Sequence, residues 1–257
     1  MRSRLLVAGA LIGALLTTAC SIRWNTGEEG AAPTPAPVVS ADAATTASVI
    51  ELLRAGTKFI DQTSFRTDVD IAGGQITTRS HMDNLHKRGE AVISANGRNS
   101  EIRMIDDALF MKTQAVAGVG DGWLSLDPVK VPPTFEMGFA PGKNDPGGSA
   151  RLIAAVVTAE IAGTEITGTI DLSKVGTGNG ISFRLTKGQQ FPDSMRSHPF
   201  RASLDGQGRL VSFLIPATGG APSATLRYSD FGAPVTVSPP PGATPAPEAL
   251  YPQLGLH

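Results

Sequence analysis

From Phe65 onward the chain alternates apolar and polar side chains with a period of two. Phe65, Thr67, Val69 and Ile71 fall on one face, with Arg66, Asp68 and Asp70 on the other, the pattern of a strand with one wet face. Gly73-Gly74 turns the chain, and Ile76, Thr78, Ser80 and Met82 resume the alternation. Further strands are expected over Gly89 to Ala95, Ser100 to Ile105 and Ala108 to Thr113, with turns at Asn96-Gly97 and Asp106-Asp107. Asn-Gly between alternating runs is a strong hairpin signal. A short strand from Trp123 to Leu126 stops at Asp127-Pro128. Later strands are expected at Glu165 to Leu172, then at Pro199 to Leu204 and Arg209 to Ile215 around the turn Asp205-Gly206-Gln207-Gly208. Ala224 to Tyr228 and Val235 to Val237 close the series.

Helical spacing occurs twice. Val49, Ile50, Leu52, Leu53 and Ile60 predict a helix over Ala43 to Ile60, with Asp42 as N-cap and Gly56 weakening its last turn. Leu152, Ile153, Val156 and Val157 predict a second over Ser149 to Glu160, with Ser149 as cap. Between strands and helices, Pro132 to Gly148 and Gly176 to Gly180 are too rich in Pro or Gly to be regular. About ten strands in an antiparallel meander, with one helix before the sheet and one in its middle, make an α+β chain rather than an alternating α/β one.

The ends follow a different rule. Arg2 and Arg4 precede an apolar run from Leu5 to Leu16, and small residues Thr18 and Ala19 lead into Cys20. A basic start, an apolar core and small residues before a cut form an export signal, and a run of about a dozen residues is short of the ~20 a bilayer span needs. Cys20 is the single cysteine. No disulfide can form within the chain, and an unused thiol would be a liability in an oxidising compartment. Leu16-Thr17-Thr18-Ala19-Cys20 resembles a bacterial lipobox, which implies diacylglycerol on the Cys20 sulfur and cleavage after Ala19. Thr17 stands where such boxes usually carry Leu. Residues 1–19 are then the signal peptide and 20–42 a lipidated cysteine with a Pro/Ala-rich spacer, disordered by composition. Residues 43–238 are the folded domain, and 239–257 a Pro-rich tail expected to be disordered.

Charge and candidate chemistry narrow the function. A net charge of -1 gives no electrostatic footprint for nucleic acid. His81, His86, His198 and His257 lack metal-ligand spacing, and no nucleophile elbow is present in a fitting context. Gly176, Gly178 and Gly180 match neither the dinucleotide fingerprint nor the phosphate loop. Asp106-Asp107 sits where a turn favours Asp for its bonds to nearby amides. The reading is of a chain without metal, cofactor or catalytic set, and not an enzyme.

Several pieces together resemble the actinobacterial LppX/LprA/LprF/LprG-type lipoproteins, over roughly residues 43–240. They are Phe65-Arg66-Thr67-Asp68-Val69 after the first helix, Asp107-Ala108-Leu109-Phe110-Met111-Lys112, Gly122-Trp123-Leu124-Ser125-Leu126, Gly163-Thr164-Glu165-Ile166-Thr167-Gly168-Thr169-Ile170-Asp171-Leu172, Leu204-Asp205-Gly206-Gln207-Gly208-Arg209-Leu210, and the run Tyr228 to Val237. The resemblance implies a LolA/LolB-like fold: a strongly curved antiparallel sheet, an unclosed half-barrel, with helices packed on its concave face. It also implies a hydrophobic cavity for the acyl chains of a lipid or lipoglycan. The chain would then be a carrier held at the outer face of the cell membrane through Cys20, with a membrane transporter as a further partner. Apolar residues expected to face inward and line that cavity are Val49, Leu52, Leu53, Phe65, Val69, Ile71, Leu109, Met111, Trp123, Leu152, Val156, Leu210 and Leu214. The same residues would also fill a solid core, which leaves open an envelope interaction module with protein partners.

Overall fold

The period-two segments pair, one hairpin after another, into a single open sheet. The structure is a computed structural model and describes residues 20–21, 43–116, 119–132, 135, 138–178, 180–184 and 190–256. A two-residue strand β1 (Cys20–Ser21) is followed by helix α1 (Ala43–Ala55), then strands β2 (Phe65–Ile71), β3 (Ile76–Asp83), β4 (Arg88–Ala95), β5 (Arg98–Ile105), β6 (Ala108–Thr113) and β7 (Leu124–Leu126). Helix α2 (Ser149–Ala154) leads into β8 (Val156–Ala162), β9 (Glu165–Ile170), β10 (Phe183–Arg184), β11 (His198–Leu204), β12 (Leu210–Ile215), β13 (Ala224–Ser229) and β14 (Thr244–Pro245). Twelve of the strands form one sheet in the order β14-β7-β6-β5-β4-β3-β2-β13-β12-β11-β9-β8, antiparallel except where β14 runs parallel to β7. Its two ends do not meet, so this is the open α+β half-barrel arrangement. β1 and β10 pair separately and in parallel.

Register explains the alternation. Phe65 lies opposite Met82 and Thr67 opposite Ser80, so the buried residues of successive strands line up on one face. That face carries Phe65, Val69, Ile71, Ile76, Met82, Ile102, Met104, Leu109 and Met111, all buried. Beyond β13 the face is larger and more aromatic: Phe200 and Phe213 stack with centroids 4.9 Å apart. Helix α1 packs against β8 and α2 and buries Val49 and Leu53. Its Thr46 hydroxyl meets both the N–H and the C=O of Ala159 on β8, each at 3.4 Å, which covers part of an otherwise free sheet edge. At its other end Leu210 N–H donates to Gly56 O at 2.8 Å, tying the helix end to β12. On β9, Gly168 passes so close to the β8 bulge that an added Cβ would lie 1.9 Å from Thr158 O.

The structure corrects four expectations. The first helix ends at Ala55, and Lys58–Asp61 forms a separate 3-10 turn instead of a continuation to Ile60. The second helix ends at Ala154, because the β-branched run Val156-Val157-Thr158 enters the sheet as β8. Val235 to Val237 is not a strand; Asp230 (φ 52°) and Gly232 (φ 81°) turn the chain away from the sheet after β13. The segment from 239 is not a disordered tail: β14 and the turns Glu248–Leu250 and Pro252–Leu254 carry Leu250, Tyr251, Leu254 and Leu256 into the core. Proline punctuation at 239–241 and 245–247 hid four apolar side chains with an interior to fill. The expected tether, 22–42 and Asp42 included, lies outside the described residues.

One buried carboxylate holds the irregular loop to this sheet. Asp145 accepts from Ser149 N–H and Ser149 Oγ at 2.7 Å each and from Gly147 N–H at 3.0 Å. It thereby supplies the start of α2 with the cap expected of Ser149. The fourth donor is Tyr228 on β13, whose hydroxyl lies 2.5 Å from Asp145 Oδ1. Burial, then the Asp145 charge, push the Tyr228 phenol well above its ordinary range, so it stays protonated and donating. Asn144 and Asn84 add a second tie, Asn144 Nδ2 to Asn84 Oδ1 at 2.8 Å and Asn84 Nδ2 to Asn144 O at 3.1 Å. Tyr228→Phe keeps the ring and deletes one donor to a buried charge, with an expected loss of about 1.5–3 kcal/mol in denaturant unfolding. A loss under about 0.5 kcal/mol would mean that the loop is held without it.

Candidate functional site

At the end of the sheet where β3 turns into β4 and β5 into β6 there is a half-open pocket of about 580 Å³. Its floor is Met104 from β5 with Ala108 and Leu109 from β6. One wall is Pro128, Val129, Val131 and Pro132 after β7, and the other is Gly138, Phe139 and Ala140 from the Pro/Gly-rich loop. Lys87, Asp106 and Asp107 supply the polar groups. The two turns that carry them are joined: Asp106 N–H donates to Lys87 O at 2.8 Å, and Lys87 Nζ lies 3.2 Å from Asp107 Oδ1. Lys87 and Asp106 both have positive φ, 51° and 54°, a conformation few non-glycine residues adopt. These polar groups are exposed and sit at the rim, while the floor is apolar.

Support for the first wall comes from far along the chain. Tyr251 Oη accepts Asp127 N–H at 2.9 Å. Lys130 pairs with Glu248, and its ammonium sits 4.9 Å from the Tyr251 ring centre. The hydrogen bond to Glu248 raises the Lys130 pKa, with burial acting weakly the other way. The opposite wall is fixed through Gly142 N–H, which lies 3.0 Å from both Asp61 carboxylate oxygens, and through the Asp145 latch farther on. Two irregular segments, each tied to a regular element, therefore face each other across the pocket.

Of the residues expected to line a cavity, Leu109 borders this pocket. Val49, Leu53, Phe65, Val69, Ile71, Met111, Leu152 and Leu210 are buried in one continuous core against other side chains. The other four lie elsewhere. Leu52 is 45% exposed on the outer side of α1. Trp123 is on the outer face, its ring centre 5.0 Å from the Arg103 guanidinium carbon. Leu214 alternates with the buried Phe213 and Ile215 and so points outward. Val156 lies half-buried at the β8 bulge. Missed altogether were Met104, Val131 and Phe139, together with the turn residues Lys87, Asp106 and Asp107. The signal for them was present: Val129, Val131, Phe135 and Phe139 are large apolar residues inside a stretch whose Pro and Gly forbid periodicity.

The other candidate chemistry disperses. His86 Nδ1 meets Asp83 at 2.8 Å in an exposed turn, and His198 Nε2 meets Pro216 O at 2.9 Å. His257 lies outside the described residues. Among the described residues no three His, Cys, Asp or Glu side chains gather as a metal site, and no helix is long and apolar enough to cross a membrane.

No family model matches the chain, and no curated protein matches it. Solved structures do. The chain is similar to LprF from Mycobacterium bovis, at 16% identity over 77% of this chain and 99% of that one, with a TM-score of 0.43. It is similar to the lipoprotein LppX of Mycobacterium tuberculosis, at 17% identity over 75% of this chain and 99% of that one, with a TM-score of 0.41. A LolA superfamily protein from Nitrosomonas europaea is 12% identical over 75% of this chain and 95% of that one, with a TM-score of 0.25.

The wall after β7 is the part most open to test. Tyr251→Phe removes the acceptor of Asp127 N–H and leaves the buried ring. The expected result is a loss of about 1 kcal/mol with faster amide exchange at Asp127 and Lys130. Unchanged exchange there would show that the wall stands without this bond.

Proposed function

We propose that the chain is an exported, lipid-anchored carrier that holds the acyl portion of a lipid or glycolipid in the pocket beside Met104 and Leu109. The observation that carries this reading is the pocket itself. At about 580 Å³ it is the size of small-molecule sites, and an apolar floor with a few rim charges is how such sites are usually built. Burial of acyl groups yields about 0.8 kcal/mol per methylene, so ten of them contribute roughly 8 kcal/mol gross. Micromolar binding corresponds to about that figure, before the cost of association. No polar signature is then needed. The lipobox-like Leu16 to Cys20 supports a position at the membrane that would supply the ligand.

A second reading has its own observation. Most of the inward candidates, Phe65, Ile71, Leu152 and Leu210 among them, are 0% exposed and packed on other side chains, which favours an interaction module with a filled core. Native mass spectrometry of the chain carrying Cys20→Ser separates the two. Co-purified or added acyl lipid should be retained, and Phe139→Asp should reduce retention at least tenfold with little change in melting temperature. No retained lipid under any loading would favour the filled-core module.

The anchor is tested separately. Cys20→Ala should move the protein from the membrane fraction to the soluble fraction of the exporting cell. Equal membrane association of the two forms would remove lipidation from the proposal.

A further inference from the structure

Two hydroxyls on the inner face have no hydrogen-bond partner among the described residues. Thr67 Oγ1 and Ser80 Oγ are buried and unpaired, on residues 0% and 4% exposed. They are directly opposite each other across β2 and β3. Elsewhere this sheet pairs such groups. Ser100 and Thr113 bond at 2.7 Å, Thr158 and Thr169 at 2.8 Å, and Ser203 and Ser212 at 2.6 Å. A buried hydroxyl left without a bond is unfavourable, so a side-by-side pair of them marks a place built for something besides packing.

Their position links them to the pocket. The Thr67–Ser80 row continues through Ala91 on β4, and lies two residues, about 7 Å, inward of the row Phe65–Met82–Gly89–Met104–Leu109. Met104 and Leu109 are pocket floor. On the sheet face the two rows carry Met82, Gly89 and Met104 in one and Ala91 and Ile102 in the other, and Asn144 Nδ2 lies 3.5 Å from the Met82 sulfur. The Met82 sulfur lies 2.4 Å from where a Gly89 Cβ would be, and Met104 Cε 3.2 Å from it. The absent side chain at Gly89 is what lets the two methionines meet there. Unbranched methionine adapts to new surroundings more readily than any other large apolar residue, and behind it Ala91 and Ser80 present little volume.

We infer that the pocket has an inward arm, closed in this structure by Met82 and Met104, in which Thr67 and Ser80 hydrogen-bond an oxygen carried partway along an acyl chain. This rests on the lipid-carrier reading and specifies its ligand: a chain with a hydroxyl or comparable oxygen, held in preference to a plain one. One of the two hydroxyls donates to the ligand oxygen and the other accepts the ligand O–H, and the methionine side chains swing aside to admit the chain.

The test is equilibrium binding of stearate, and of a set of stearates with one hydroxyl at different positions, to the purified full chain. At least one hydroxystearate should bind about tenfold more tightly than stearate. Thr67→Val with Ser80→Ala should abolish that preference and leave stearate affinity unchanged. The double variant should melt no lower than the parent, since it loses two unpaired hydroxyls. The inward arm is refuted if no hydroxystearate exceeds stearate, if the preference survives in the double variant, or if that variant melts lower because the hydroxyls support the fold. If stearate itself fails to bind, the lipid-carrier reading falls too, which is a distinguishable result.

Discussion

An open sheet of twelve strands presents one apolar face, and two short helices cannot cover it. The irregular segments described over this face answer that constraint. Helix α1 covers the β8 end and reaches β12, which leaves the inner face of β2 to β7 to segments without regular structure. The Pro/Gly-rich loop is brought down over β13 and β3, and the segment after 244 over β7 and its surroundings. Irregular backbone carries donors and acceptors that have to be met when it is buried, and this decides where the polar residues go.

Asp145 is the clearest case. A carboxylate at 7% exposure is costly unless its charge is met by donors, and four donors surround it. The same residue fixes three things at once: the start of α2, the path of Gly147 past Leu226, and the approach of the loop to Tyr228. Gly147 and Gly180 are required by that closeness, since an added Cβ at Gly180 would lie 2.1 Å from Gly147 O. The latch is polar, and it sits inside a cage of aromatic edges formed by Phe59, Phe65 and Tyr228 with centroids 5.0–5.8 Å apart. Packing rigidifies the side of the sheet away from the pocket, whose floor by contrast rests on methionine and small residues.

Much of the strand pattern was legible because one face is wet. Phe65 to Ile71 and Ile76 to Met82 declare their register through alternation, and Asn96-Gly97 and Asp205 to Gly208 declare their turns. The α2–β8 boundary was not legible, since Leu152, Ile153, Val156 and Val157 satisfy helical spacing whichever way the chain goes. Tertiary pairing with β9 and the β-branched run decided it. The last segment was not legible because its prolines break any periodicity, and only the apolar character of Leu250, Tyr251, Leu254 and Leu256 argues against a solvated tail. The site was harder still. Its walls are loops, where no periodicity identifies an inward face, and the inward faces that periodicity does identify belong mostly to the solid core.

The ties on the pocket wall after β7 have a kinetic meaning. Asp127 and Tyr251 are 124 residues apart in the chain, and Lys130 and Glu248 are 118 apart. Contacts of such sequence separation require closure of very large loops, whereas the β2 to β6 hairpins close locally. The meander can therefore assemble while the pocket is still missing a supported side. The pocket is then the last part of the fold to be completed, and a chain whose hairpins have all closed would still lack it.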